Sequence, residues 1–125
     1  MLAVACGAYA MPGSSPTPRG GIDYDMTATE TVHQVSVHVG QRLEVVLHAA
    51  GGMGNWSHPT SSDRSVLSPI VDPAATAARG VTLAAFEAMR QGEAEVSATA
   101  SPLCSPGRAC PMLVAVYSLR VTITP

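Results

Sequence analysis

The chain has 125 residues and a net charge of −2; 13% of them are charged, and all seven basic side chains are arginines. That length suits one domain with a tail, and the absence of a basic run excludes the cationic stripe that displaces counterions from nucleic acid. With no lysine there is neither a Schiff-base amine nor a P-loop lysine, and one Phe, one Trp and three Tyr supply few stacking platforms.

Pro, Gly and Ser dominate residues 7–28, without apolar periodicity, which predicts a flexible linker. From Thr31 the pattern becomes regular. Val35, Val37 and Val39 alternate with polar residues and form one predicted inward face. Gly40-Gln41 turns the chain, after which Leu43, Val45 and Leu47 point inward while Arg42, Glu44 and His48 point out. Period-two alternation marks a strand with one buried face. These two strands are expected to pair around the V-G-Q corner, with His38 and His48 on outward positions.

Gly51-Gly52-Met53-Gly54 reads as a loop. Trp56, the single tryptophan, is expected early in a third strand as the plug between two sheets. Residues 59–63 read as a polar turn, 65–71 as a short strand that Pro69 confines to an edge, and 72–80 as an Ala-rich loop or one helical turn. Residues 83–89 and 93–100, separated by Gln91-Gly92, are expected as consecutive antiparallel strands, with Ala94, Val96 and Ala98 inward. The closing strand, 114–124, places Tyr117, Leu119, Val121 and Ile123 on one face.

About seven short strands at this spacing predict an all-β, immunoglobulin-like antiparallel β-sandwich over residues 29–125, preceded by a disordered tail over 1–28. No helical period between strands supports an α/β fold. The expected core includes Trp56, Phe86, Val96, Tyr117 and Leu119.

Cys104 and Cys110 share a Pro/Gly loop, and their short spacing reads as a disulfide of an oxidising compartment. The alternative is half of a zinc site, but no second Cys/His pair stands at ligand spacing. His33, His38, His48 and His58 have no H-x-H or H-x3-H spacing, and there is no G-x-S-x-G elbow. No metal, no cofactor and no catalytic residue is expected, so the chain reads as a binding protein and not an enzyme.

Several segments together resemble the chagasin-type family of cysteine-protease inhibitors, which are compact immunoglobulin-like domains. They are V-G-Q-R-L-E-V-V-L at 39–47, N-W at 55–56, S-D-R-S-V-L at 62–67, F-E-A-M-R-Q-G-E-A-E-V at 86–96 and V-Y-S-L-R-V-T-I at 116–123. The resemblance implies binding through three loops at one end of the sandwich, here 50–56, 74–80 and 101–113. It points to Gly51, Gly52, Met53, Gly54 and Asn55 in the first loop, Gly80 in the second, and Leu103, Arg108 and Met112 in the third. Three departures from the family pattern stand out. The first loop has neither the Pro nor the Thr pair of the family's N-P-T-T-G, the second keeps only Gly80, and Cys104 and Cys110 replace an Arg-Pro-aromatic trio.

Residues 1–6, M-L-A-V-A-C, resemble the end of a bacterial lipoprotein signal, with Cys6 as the lipid anchor. They lack a basic n-region, the apolar stretch is short, and Ala3 stands where Leu is usual. The main reading is therefore a non-catalytic, secreted or membrane-tethered binding module of the cell envelope. It would be extracytoplasmic and monomeric, with a protein partner and no nucleic acid, touching membrane only through a lipid on Cys6. The alternative is a reversible inhibitor of papain-like cysteine proteases acting through the three loops.

Overall fold

A computed structural model describes residues 23–71, 79–104, 107, 109–110 and 113–125. The expectations for residues 1–22, with Cys6, and for 72–78, Arg108 and Met112 lie outside the described residues. Among these there is no helix and there are eight strands: β1 (Met26–Thr29), β2 (Gln34–His38), β3 (Arg42–His48), β4 (Thr60–Ser61), β5 (Leu67–Ile70), β6 (Val81–Ala88), β7 (Gly92–Ala100) and β8 (Ala115–Thr124).

The strands form two four-stranded sheets, ordered β1-β3-β6-β5 and β2-β8-β7-β4. This is the A-B-E-D and C-F-G division of an immunoglobulin sandwich, with β2 added beside β8. Antiparallel ladders join β3 to β6 (Leu43 opposite Phe86, Val45 opposite Ala84) and β7 to β8 (Val96 opposite Leu119, Ala98 opposite Tyr117). Each sheet also contains one parallel pair, Ala28 beside Val45 in the first and Val35 beside Val121 in the second. The sheets are thus mixed and not antiparallel throughout, because the chain changes sheet between β1 and β2.

Two expected pairings are corrected by this topology. β6 and β7 lie in different sheets, so Gln91-Gly92 carries the chain across the sandwich and does not close a hairpin. Gly92 makes that crossing at φ 149, and a Cβ there would sit 3.4 Å from Val66. β2 and β3 are likewise split between the sheets, joined by Gly40 at φ 91, whose N–H donates to the Ala88 carbonyl at 2.8 Å. Alternation reports which side of a strand is buried, and strands of either sheet face the same interior. Apart from Val39, the inward residues are therefore as expected, while these two pairings are not.

The same split separates His38 from His48. The His38 ring bonds the Thr124 hydroxyl at 2.9 Å, whereas the His48 ring meets Glu30 at 3.0 Å. Val39, expected inward, lies beyond the end of β2 and is 44% exposed. β1 includes Met26, Thr27 and Ala28, which composition placed in the tail, and β4 is made of two polar residues from the expected turn.

The core is drawn evenly from both sheets. Leu43, Val45, Leu47, Leu67 and Phe86 from the first meet Val96, Tyr117, Leu119, Val121 and Ile123 from the second, all of them buried. Removing each such side chain from water contributes about 1.5–3 kcal/mol before entropy is counted. Among the described residues no polar or charged residue is buried, and no buried polar side-chain atom lacks a partner. Pro69 lies in edge strand β5, where its missing N–H interrupts no ladder. Trp56 is not the central plug: it precedes β4, is half-buried, and packs against the rim of the core. Its ring stands edge-on to Tyr117, with centroids 6.3 Å apart.

Candidate functional site

β3, β5 and β7 leave the sandwich at one end, and the backbone ties their loops together. Ala49 N–H donates to the Gly80 carbonyl at 2.8 Å, which joins the first loop to the second. Gly54 N–H donates to Ser101 O at 2.8 Å and Leu103 N–H donates to Gly52 O at 2.9 Å. With the antiparallel bridge between Met53 and Pro102, these bonds join the first loop to the third. Gly52 adopts φ 79, a backbone conformation glycine takes without steric cost. A Cβ on Gly54 would lie 3.4 Å from Ser101 O and 3.7 Å from the Leu103 side chain, ordinary van der Waals contact, so the two loops pack against each other there.

The base of the first loop is clamped separately. The Trp56 indole N–H donates to the His48 carbonyl at 3.0 Å, and the Thr82 hydroxyl donates to the Trp56 carbonyl at 3.0 Å. Ser57 and Thr99 exchange two bonds, Ser57 N–H to Thr99 O at 2.7 Å and Thr99 N–H to Ser57 Oγ at 2.9 Å. Behind them Glu30 accepts from the His48 backbone N–H at 2.9 Å and meets the His48 ring. Partial burial opposes ionisation of Glu30, but hydrogen bonds from the His48 backbone and ring outweigh it and hold the carboxyl below its ordinary value. Tyr117 is pushed up to about 12, chiefly by burial and secondly by the negative charge of Glu30.

In the third loop Cys104 and Cys110 form a disulfide, with Cα atoms 5.3 Å apart, and both residues are exposed. Their sulfurs are bonded to one another, which excludes the zinc half-site. Leu103 is 67% exposed beside this ring. Of the residues anticipated from sequence, Gly51, Gly52 and Asn55 are exposed, whereas Met53, Gly54 and Gly80 are partly covered by the loop contacts. Arg108 and Met112 lie outside the described residues. Ser101 and Pro102 fall within the expected third loop without being singled out, and Ala49 and Glu30 lie outside the expected loops. Three of them act through the backbone, which no residue pattern announces, and Glu30 acts on a residue 18 positions away.

The loop end offers backbone amides, glycines and apolar side chains, which is the chemistry of a contact surface. Among the described residues no group of three His, Cys, Asp or Glu side chains could hold a metal ion. A separate groove of about 380 Å³ lies along the outer side of the first sheet, where Tyr24, Glu44 and His58 meet Ile70, Leu83 and Ala85.

No family model matches the chain, and no curated protein matches it. Among solved structures it is similar to the solution structure of amebosin, at 15% identity and a TM-score of 0.45, over 79% of this chain and 97% of that one. It is also similar to the crystal structure of the cysteine protease inhibitor EhICP2 from Entamoeba histolytica, at 16% identity and a TM-score of 0.48, over 81% of this chain and 99% of that one.

Proposed function

We propose that this domain is a non-catalytic protein-binding module whose loop end enters the active-site cleft of a papain-like cysteine protease and inhibits it reversibly. The observation that carries the proposal is the set of backbone bonds from Gly52 and Gly54 to Leu103 and Ser101, which makes one surface of two loops far apart in sequence. A surface ordered before contact loses little conformational freedom on docking, and loops held by a rigid sandwich are where binding residues concentrate.

The class of partner comes from the segments at 39–47, 55–56, 62–67, 86–96 and 116–123 that resemble chagasin-type inhibitors. The loops themselves differ from that family, and the disulfide of the third loop stands where an Arg-Pro-aromatic trio is usual. Recognition here therefore relies on loop shape and on the apolar side chains of Met53 and Leu103. An exposed disulfide persists in an oxidising compartment, which supports action outside the cytoplasm.

The test is inhibition of papain by the oxidised full chain, compared with its Met53→Glu and Leu103→Glu variants. Both substitutions introduce a charge into the contact, and each is expected to weaken inhibition by at least about tenfold. A wild-type chain that leaves papain active at high micromolar concentration would refute the proposal.

A further inference from the structure

We infer that the surface covered by the protease continues past the loops, onto an apolar shelf formed by Leu103, Leu113, Val114 and Val116 at the loop end of β8. The inference rests on the loop-end reading above. Among the described residues seven large hydrophobic side chains are exposed, and four of them fall in this one stretch of the chain. Leu113 is 64% exposed, Val114 53% and Val116 68%. Single exposed hydrophobics need no explanation, but Leu113, Val114 and Val116 are near neighbours in the chain, and exposed apolar residues grouped in this way mark a contact surface.

The polarity of the outer face of this sheet changes along its length. Away from the loops the cross-strand rows are Glu93 with Thr122 and Glu95 with Arg120. Ser97 with Ser118 follows, and the row nearest the loops is Thr99 with Val116. Charge thus stops at Glu95, whose carboxylate accepts from the Ser118 hydroxyl at 2.6 Å. Protein interfaces have this anatomy, with charge depleted at the centre and a polar rim around it.

Two further features make the shelf part of the loop end. β2 pairs with β8 only from Arg120 to Thr124, so its ladder stops short of Val116. Val116 stands opposite Thr99, which exchanges two hydrogen bonds with Ser57 at the base of the first loop, and Leu103, three residues beyond β7, donates its N–H to Gly52. The occupant is accordingly the same protease, through an uncharged, apolar ledge beside its cleft. The shelf would slow dissociation, since uncharged contacts act on lifetime more than on encounter.

The experiment measures the inhibition constant against papain for full-chain Val116→Glu and Val114→Glu, with Val39→Glu and Met89→Glu as controls. The controls change hydrophobics that are 44% and 51% exposed at the opposite end of the sandwich. Inhibition is expected to weaken about tenfold or more for the shelf variants and less than about twofold for the controls, with unchanged thermal midpoints. Wild-type affinity in Val116→Glu, alongside loss in Met53→Glu, would overturn the shelf and leave the loop reading standing. Absence of inhibition by the wild type would overturn both. If sedimentation shows that wild type is a dimer which Val116→Glu dissociates, the shelf is a self-contact and the inference falls.

Discussion

The Tyr117 hydroxyl donates to the carbonyl oxygen of Val32 at 2.6 Å and lies 3.2 Å from that of Thr29. One side chain of β8 thereby fastens the segment in which the chain leaves the first sheet and enters the second. Its ring is buried in the core, so the position joins apolar packing to a polar tether. Tyr117→Phe keeps the packing and leaves two carbonyls without this donor. It is expected to destabilise the fold by about 1–2 kcal/mol, read from the midpoint of urea unfolding.

The same phenol sets an alkaline limit. In the unfolded chain it ionises near its ordinary value of 10, and in the native fold at about 12. Between these values the unfolded chain has lost the proton that the native state keeps, so stability falls as pH rises from 10 to 12. Tyrosinate absorbance should show one of the three tyrosines titrating late. In Tyr117→Phe both the late step and its share of the alkaline destabilisation should disappear.

Glu30 works at the acid end. Its native carboxyl ionises below the ordinary 4.5, so the stability from its bonds to His48 is complete above that value. It is lost as pH falls through the native value. The pair is partly exposed to solvent, which screens it, and Glu30→Gln should cost about 0.5 kcal/mol at pH 7. Unfolding midpoints collected from pH 7 to pH 3 should fall less steeply for the variant than for the wild type.

The disulfide closes a short ring, its cysteines standing six positions apart in the chain, so its stabilisation should be modest. Replacing Cys104 and Cys110 together by Ser is expected to cost about 2 kcal/mol. The bonds of Leu103 to Gly52 and of Gly54 to Ser101 lie outside the ring. Amide exchange at Leu103 should therefore quicken only moderately in the double variant, and a complete loss of protection would show that the ring alone holds the loops.

Trp56→Phe removes the donor to His48 while keeping an aromatic ring at the rim of the core. The expected cost is about 1 kcal/mol of stability. Faster amide exchange at Met53 and Gly54 than at core residues such as Val96 would confirm that the indole clamps the first loop.

What the sequence could announce was decided by which physical signal each element carries. The inward faces of β3, β7 and β8 are written as alternating Leu, Val, Ala and Ile, and Leu43, Val45, Val96, Leu119 and Val121 are buried as that pattern requires. Sheet membership is not written there, because strands of opposing sheets turn their apolar sides to one interior. Thus Gln91-Gly92 resembles a hairpin turn and is a crossing. β1 and β4 were illegible for a different reason: four and two residues are too few to show a period. At the candidate site, glycines, cysteines and Leu103 could be named in advance. The bonds that assemble the site could not, since they run between backbone groups of Gly52, Gly54, Ser101 and Leu103.

The most direct measurement of the central claim is calorimetric titration of the oxidised full chain into papain, once with its cleft free and once with it filled by a bulky peptide-derived inhibitor. Entry of the loop end into the cleft predicts one-to-one binding to the free enzyme and none to the filled one. Equal affinity for both forms would contradict it, placing the contact away from the cleft.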